Sequence, residues 1–373
     1  MALWAKREDM IVHRTEPFNA EPPPSALAGR TLTPIEAFYA RNHGPIPRID
    51  PESWRLTLDG LVERPATLSL HDLLTGFEYR ELVATVQCAG NRRAGLLAVR
   101  EIPGKTPWGP GAISTARWTG VSLADVLAEA GLRPEAAHIA FVAADLSSSV
   151  DPPEPFGGSI PVAKATAGEV LLAWAMNGKP LPRLHGGPVR LVVPGYIGAR
   201  SVKWITRITA QDRPSDNHFQ AISYRLLPAD ADPELAGPAE GLQLGPVAVN
   251  ADILQPENGV TVVAGPTTVR GYTSVGDRAI ARVDVSIDDG RTWRQAELDP
   301  AAGRWAWRQW HSTIDLPAGD ATITARAWDT AAATQPEHPE SLWNPGGYAN
   351  NAWARVQVTV APAPAGSGKA DES

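Results

Sequence analysis

Hydrophobic and polar positions alternate with a period of two late in the chain. Ala281, Val283, Val285 and Ile287 fall on one side, and Arg282, Asp284 and Ser286 on the other, the pattern of a strand with one buried face. Asp288-Asp289-Gly290 follows as a hairpin turn, because these residues tolerate the positive φ that tight turns need. Ile323/Ala325/Ala327 and Val356/Val358/Val360 repeat the same period. Several short strands without a helical pattern predict an antiparallel sandwich of immunoglobulin-like type, roughly one hundred residues long.

The first part reads differently. Thr33-Pro34-Ile35-Glu36 carries a helix start, with a threonine cap, a proline in the first turn and a glutamate in the capping-box position. Ser69-Leu70-His71-Asp72 and Ser122-Leu123-Ala124-Asp125 repeat the signal. The second predicts a helix burying Leu123, Val126, Leu127 and Ala130 and ending at Gly131. Leu82–Val86 and Val189–Val193 read as strands between these helices. The stretch to Arg30, with Pro22-Pro23-Pro24, reads as an irregular lead-in. From Pro228 to Pro246 the chain is rich in Pro, Gly, Ala and Asp and reads as a linker. The organisation expected is therefore α+β: a mixed domain over 1–228, a linker over 229–246, an all-β sandwich over 247–361 and a solvated tail over 362–373.

Composition narrows the function. At 373 residues, 43% hydrophobic and 20% charged, the chain has the make-up of an ordinary globular protein of two domains. Its net charge of −7 argues against a nucleic-acid surface. No apolar run reaches the roughly 20 residues of a membrane span, and the N-terminus has no secretory pattern. The expectation is a cytoplasmic protein, or a periplasmic one if a leader has been removed. The single cysteine, Cys88, rules out an intrachain disulfide, an all-cysteine zinc site, an iron–sulfur cluster and a covalent haem.

Two stretches are basic within this acidic chain. Val86–Trp118 carries Arg92, Arg93, Arg100, Lys105 and Arg117 against Glu101 alone. Gly178–Gln211 carries Lys179, Arg183, Arg190, Arg200, Lys203 and Arg207 with no acid. Glycine-rich, arginine-rich loops suit a multiply charged anion, with solvated basic faces as the plain alternative. Cys88 ends a strand and enters Gln87-Cys88-Ala89-Gly90-Asn91-Arg92-Arg93. A lone cysteine is more often a small buried hydrophobe, but the neighbouring positive charge favours the metal-binding thiolate.

That heptapeptide resembles the metal-cysteine motif of the sulfite oxidase family of molybdenum-cofactor oxidoreductases. The resemblance extends through Phe38–His43, Gly111–Trp118, Met176-Asn177-Gly178, His185–Arg190, Val193–Trp204, Trp305–Arg308 and Trp343-Asn344, in the family's order. It implies a mixed molybdopterin-binding domain followed by an immunoglobulin-like dimerisation domain. It implies molybdenum on a molybdopterin, with Cys88 as the protein ligand to the metal, and no haem in this chain. His43, Asp145, His185, Arg190, Ser201 and Lys203 match the family's cofactor contacts. Arg41, Arg93 and Arg308 match its anion pocket, with Trp108 as wall and Tyr224 as hydroxyl donor. The plain alternatives are structural histidines, a core tyrosine at Tyr224 and a surface strand arginine at Arg308. The activity implied is oxidation of sulfite to sulfate by a homodimer, with electrons leaving singly to a separate acceptor such as a cytochrome. Another substrate, such as nitrate or a sulfoxide, and a non-catalytic interaction protein are the competing readings.

Overall fold

The computed structural model describes residues 3–147 and 149–363. Most of the expected tail, from residue 364 on, lies outside them. The first part is built on two sheets. One orders the strands Lys179–Pro180, Leu171–Met176, Ile113–Ser122 and Tyr79–Gln87, with Arg190–Val192 also paired to Leu171–Met176. The other orders Ala66–Ser69, Arg55–Gly60, Ile205–Gln211, His138–Ser147 and Glu154–Pro161. Within it Arg55–Gly60 and Ile205–Gln211 run parallel and the other neighbours antiparallel. Short helices cover the edges, so the architecture is α+β.

Local chemistry explains the helices that form. Ser69 Oγ accepts from the Asp72 N–H while Asp72 Oδ2 accepts from the Ser69 N–H at 2.8 Å, a complete capping box for Leu70–Gly76. Ser122 caps Leu123–Ala130, and Gly131 ends it at φ 71°. Leu123, Val126, Leu127 and Ala130 are all buried, because spacings of three and four place them on one face. The helix expected after Thr33 does not form. Only a 3-10 turn, Ile35–Ala37, is present. Thr33 is drawn into the sheet edge instead, its N–H donating to Thr115 O and its Oγ accepting from the Thr115 N–H. The lead-in is also more ordered than expected. Ile11–Thr15 and Phe18–Glu21 form a hairpin whose second strand is wholly buried.

The later part is a two-sheet sandwich. One sheet orders Asn250–Gln255, Gly265–Ser274, Arg308–Leu316 and Glu297–Leu298. The facing one orders Thr261–Val263, Ala354–Ala361, Gly319–Asp329, Ile280–Ser286 and Arg294–Gln295. The hairpin at Asp288-Asp289-Gly290 is present, pairing Asp284 with Gln295 and Val285 with Arg294. The alternation there is only half realised. Val283 and Val285 are buried, but Ile287 is exposed and Asp284 is buried. Asp284 Oδ2 accepts from Arg282, Arg326 and the Trp328 indole, so its desolvation is compensated.

The sandwich is bolted to the first part. Arg92 sits at φ 63° and sends its guanidinium across to Asp252 at 2.7 Å, with both side chains about nine-tenths buried. It also donates to Asn250 Oδ1 and Ala352 O. Removing one partner of such a pair leaves an uncompensated charge, at a cost of about 3–5 kcal/mol. Arg92→Met should show that loss in urea unfolding, and adding Asp252→Asn should recover part of it. A double variant no more stable than Arg92→Met would show the pair is not coupled.

Candidate functional site

A cavity opens where the strand Tyr79–Gln87 ends, at Cys88. Tight chain geometry places the thiol. The Cys88 N–H donates to Ala112 O, and Cys88 O accepts from the Asn91 N–H at 3.0 Å. Gly90 donates its N–H to the sulfur at 3.4 Å. A Cβ at Gly90 would collide with the Arg93 guanidinium, so a larger residue there would displace that side chain.

Cations gather on the other walls. Lys203 directs its ammonium to Arg41 O, Leu184 O and Asn42 Oδ1. Arg190 donates to His185 O and Ser201 O, each at 3.0 Å. Burial pushes Arg190 down to about 10 and drives Lys203 well below the usual lysine range, helped by Arg190 itself. Asp145 is the only acid lining the cavity among the described residues. Burial pushes its carboxyl up to about 6, although Lys203 pulls the other way. For both members of this pair, lost solvation outweighs their mutual attraction. Asp145 Oδ1 has no hydrogen-bond partner among the described residues. Concentrated positive charge, held mainly by neutral oxygens, and one unused carboxylate oxygen suit an anionic ligand that also carries N–H donors.

The opposite wall is aromatic. Tyr224 Oη lies 2.7 Å from His43 Nε2. The His43 ring stacks on Phe156 at 4.6 Å, with Phe219 beside it. Burial, then Arg41 and Lys203, hold His43 neutral, and burial raises the Tyr224 phenol well above its usual value. The pair therefore stays uncharged and can hold one proton between oxygen and nitrogen. Arg41 uses only Nη1 on protein, toward Asn19 and Asn42. Its Nε and Nη2 are left without a partner among the described residues, a free edge for an anion.

Of the residues singled out by sequence, Arg41, His43, Cys88, Asp145, His185, Arg190, Ser201, Lys203 and Tyr224 line this one cavity. Trp108 does not. It is fully buried in the apolar cluster that also holds Cys88, edge-on to His13 at 4.7 Å. Arg93 lies behind the aromatic wall, its Nε donating to Gly347 O and its Nη1 to Thr106 O. Arg308 does not reach the site: its Nε and Nη2 bind Asp299 O on the far side of its strand. The reason is alternation along an extended chain. Trp307 faces the first part, its indole donating to Thr31 O, so the next side chain must face away.

The sandwich reaches the site by another route. Tyr348, not foreseen from the sequence, stacks on Tyr224 at 5.3 Å, and the Arg93 guanidinium lies 5.3 Å from the same ring. Gly346 and Gly347 make room, since a Cβ on them would meet the Tyr348 ring and the Arg93 side chain. Two glycines before an aromatic residue, just after Trp343-Asn344, were the available signal. Behind Tyr348 lies a second, mostly apolar cavity that also touches Cys88 and Ala89. The two tyrosines thus partition the cavities. Tyr348→Ala should cost about 3–5 kcal/mol and join them, so that a bulky disulfide reagent labels Cys88, the only cysteine, several-fold faster. Unchanged labelling would show that the ring is not the barrier.

Comparison with known proteins follows this geometry. Residues 43–219 match the family model described as oxidoreductase molybdopterin binding domain, and residues 244–361 the Mo-co oxidoreductase dimerisation domain. The chain is 38% identical to a sulfite oxidase of Arabidopsis thaliana, over 95% of each chain. It is 43% identical to the mitochondrial sulfite oxidase of Homo sapiens over 94% of its own length, and spans 66% of that relative. Among solved structures, the sulfane dehydrogenase SoxCD from Paracoccus pantotrophus superposes with a TM-score of 0.79 at 27% identity, covering 95% of this chain and 90% of the other.

Proposed function

Because the chain belongs to the sulfite oxidase family of molybdenum-cofactor oxidoreductases, we propose that it oxidises sulfite to sulfate. The observation that carries this reading is the single cavity that brings one thiol, a cationic cradle, an arginine with a free edge and a tyrosine–histidine pair together. The fit to molybdopterin is good on the structure's own terms. Buried cations without a counter-charge suit its phosphate, and the unpartnered Asp145 Oδ1 suits a pterin N–H. When bound, the group supplies oxygen-atom transfer and takes up two electrons.

The chain's residues then divide the work. Cys88 supplies the thiolate to the metal, a soft ligand for which the sequence has no substitute. Lys203 and Arg190 place positive charge beside the phosphate, the Ser201 hydroxyl and His185 add donors, and Asp145 orients the ring. Arg41 draws the sulfite anion inward and holds it by its free guanidinium edge. Tyr224 donates to the anion's oxygens and exchanges its proton with His43 Nε2. Phe156 and Phe219 exclude water around that pair. Arg93 acts from behind, its charge reaching the pocket through the Tyr348–Tyr224 stack.

The second part completes the reading. Residues 247–361 are proposed as the homodimerisation domain, with 1–228 as the catalytic one, and the electrons pass to a separate acceptor such as a cytochrome. Light scattering should report a dimer for the full chain, and a monomer would remove that assignment.

The test of the activity is a molybdenum assay paired with sulfite-dependent ferricyanide reduction. Nitrate or sulfoxide turnover in place of sulfite turnover would overturn the substrate. Cys88→Ser should fold but lose nearly all turnover, and retention of wild-type rates would remove Cys88 from the metal. Arg41→Gln should lower kcat/KM by about tenfold or more, at least about 1.4 kcal/mol. Sulfate should inhibit the wild type by competition and by screening. Indifference to sulfate at high ionic strength would count against the anion pocket.

A further inference from the structure

Lys6 has no place in the binding set above, yet it is buried against one of its members. Its side chain is only 4% exposed. The ammonium donates to Ile35 O and Phe38 O, and lies 2.7 Å from His185 Nε2. An ammonium has three hydrogens and no lone pair. Two hydrogens go to the carbonyls, so the third must go to Nε2, and Nε2 must accept. The imidazole is kept neutral by burial first, and then by Lys6, Lys203 and Arg190. A neutral imidazole carries one proton, so with Nε2 accepting, that proton sits on Nδ1.

The surroundings favour this ring orientation. Phe38 packs edge-on against it at 5.3 Å, and the residue is buried in a short 3-10 turn, Arg183–His185. Nδ1 has no protein partner among the described residues, and His185 lines the cavity. We infer that Lys6 is a positioning residue that fixes the His185 tautomer, so that the ring presents an Nδ1–H donor to an acceptor atom of the bound cofactor. The inference rests on the reading of the cavity as a molybdopterin site.

The alternative state of the pair is chemically distinct. A neutral Lys6 amine would keep two hydrogens for the carbonyls and turn its lone pair to His185. Nε2 would then carry the proton, and Nδ1 would offer an acceptor to the cavity. Burial brings Lys6 down to about 7, with Glu36 the one acid opposing it. The anionic cofactor favours the ammonium, and with it the Nδ1–H form. Cofactor binding and the tautomer are therefore linked in the same direction.

The test uses the full chain with ¹⁵N-labelled histidine, the His185 resonances being identified by their absence in His185→Gln. Two-bond ¹⁵N–¹H couplings should place the proton on Nδ1 in the wild type. In Lys6→Met the donor to Nε2 is gone, so both tautomers should appear. The molybdenum and pterin retained after gel filtration should fall several-fold while the far-UV spectrum is unchanged. Lys6→Gln, which keeps an amide donor, should restore most of the wild-type tautomer and retention. A proton on Nε2 in the wild type, or a wild-type tautomer in Lys6→Met, would overturn the inference. Absence of molybdopterin from the wild type would instead overturn the reading of the cavity, and the couplings, read about a pH unit below the Lys6 value so that it is an ammonium, would still decide the role of Lys6.

Discussion

Burial of positive charge around a cavity with almost no negative charge of its own is the constraint on which the rest depends. Lys203, Arg190 and Lys6 are held largely by neutral oxygens, from carbonyls and one asparagine. Those contacts satisfy donors without neutralising charge, so each cation is easier to deprotonate than in water. Three cations kept in this state match the anionic ligand proposed for the cavity. Asp145, protonated more readily than an ordinary carboxylate, belongs to the same arrangement. It offers one local charge to Lys203 and one free oxygen to the ligand.

Such a cradle must be rigid, and the struts are visible. Glu21 of the N-terminal hairpin accepts from the Gly109 and Gly111 N–H groups at 2.7 and 2.9 Å. That ties the loop after Trp108 to the lead-in and fixes the stretch against which the Cys88 turn closes. The same lead-in delivers Lys6 to His185. A segment that reads as irregular is therefore part of the machinery, because a hairpin and one buried lysine tie it to both sides of the cavity. Arg92 adds the tie to the sandwich through Asp252, so the Cys88 turn is braced by both parts of the molecule.

The aromatic wall governs what can approach the thiol. Tyr224 sits at φ 57°, a conformation uncommon for a bulky residue, and its ring is clamped between His43 and Tyr348. The sandwich thereby contributes a side chain to the aromatic wall of the cavity. It does so with a neutral ring rather than a guanidinium, which leaves Arg41 as the arginine with a free edge on the pocket and sets Arg93 one layer back.

By itself the sequence determined the order of the parts and singled out most of the polar residues that line the cavity. The Ser69 and Ser122 caps, the glycine stop at residue 131 and the period-two strands act locally, through backbone hydrogen bonds and one buried face. Seven of the nine cavity residues sit in the short motifs read from the sequence, and Asp145 and Tyr224 lie outside them. Tertiary structure decided what local rules do not reach. Thr33 left its helix because a sheet edge offered better partners, and Asp284 was buried because two arginines and an indole converged on it. Arg308 points away since its neighbour Trp307 claimed the interface, while Tyr348 enters through two glycines. Lys6 and Arg7 are adjacent and alike in charge, yet one is buried on His185 and the other pairs with Asp9 at the surface. Which cation goes inward depends on partners some 30 and 179 residues away, and no local pattern encodes that distance.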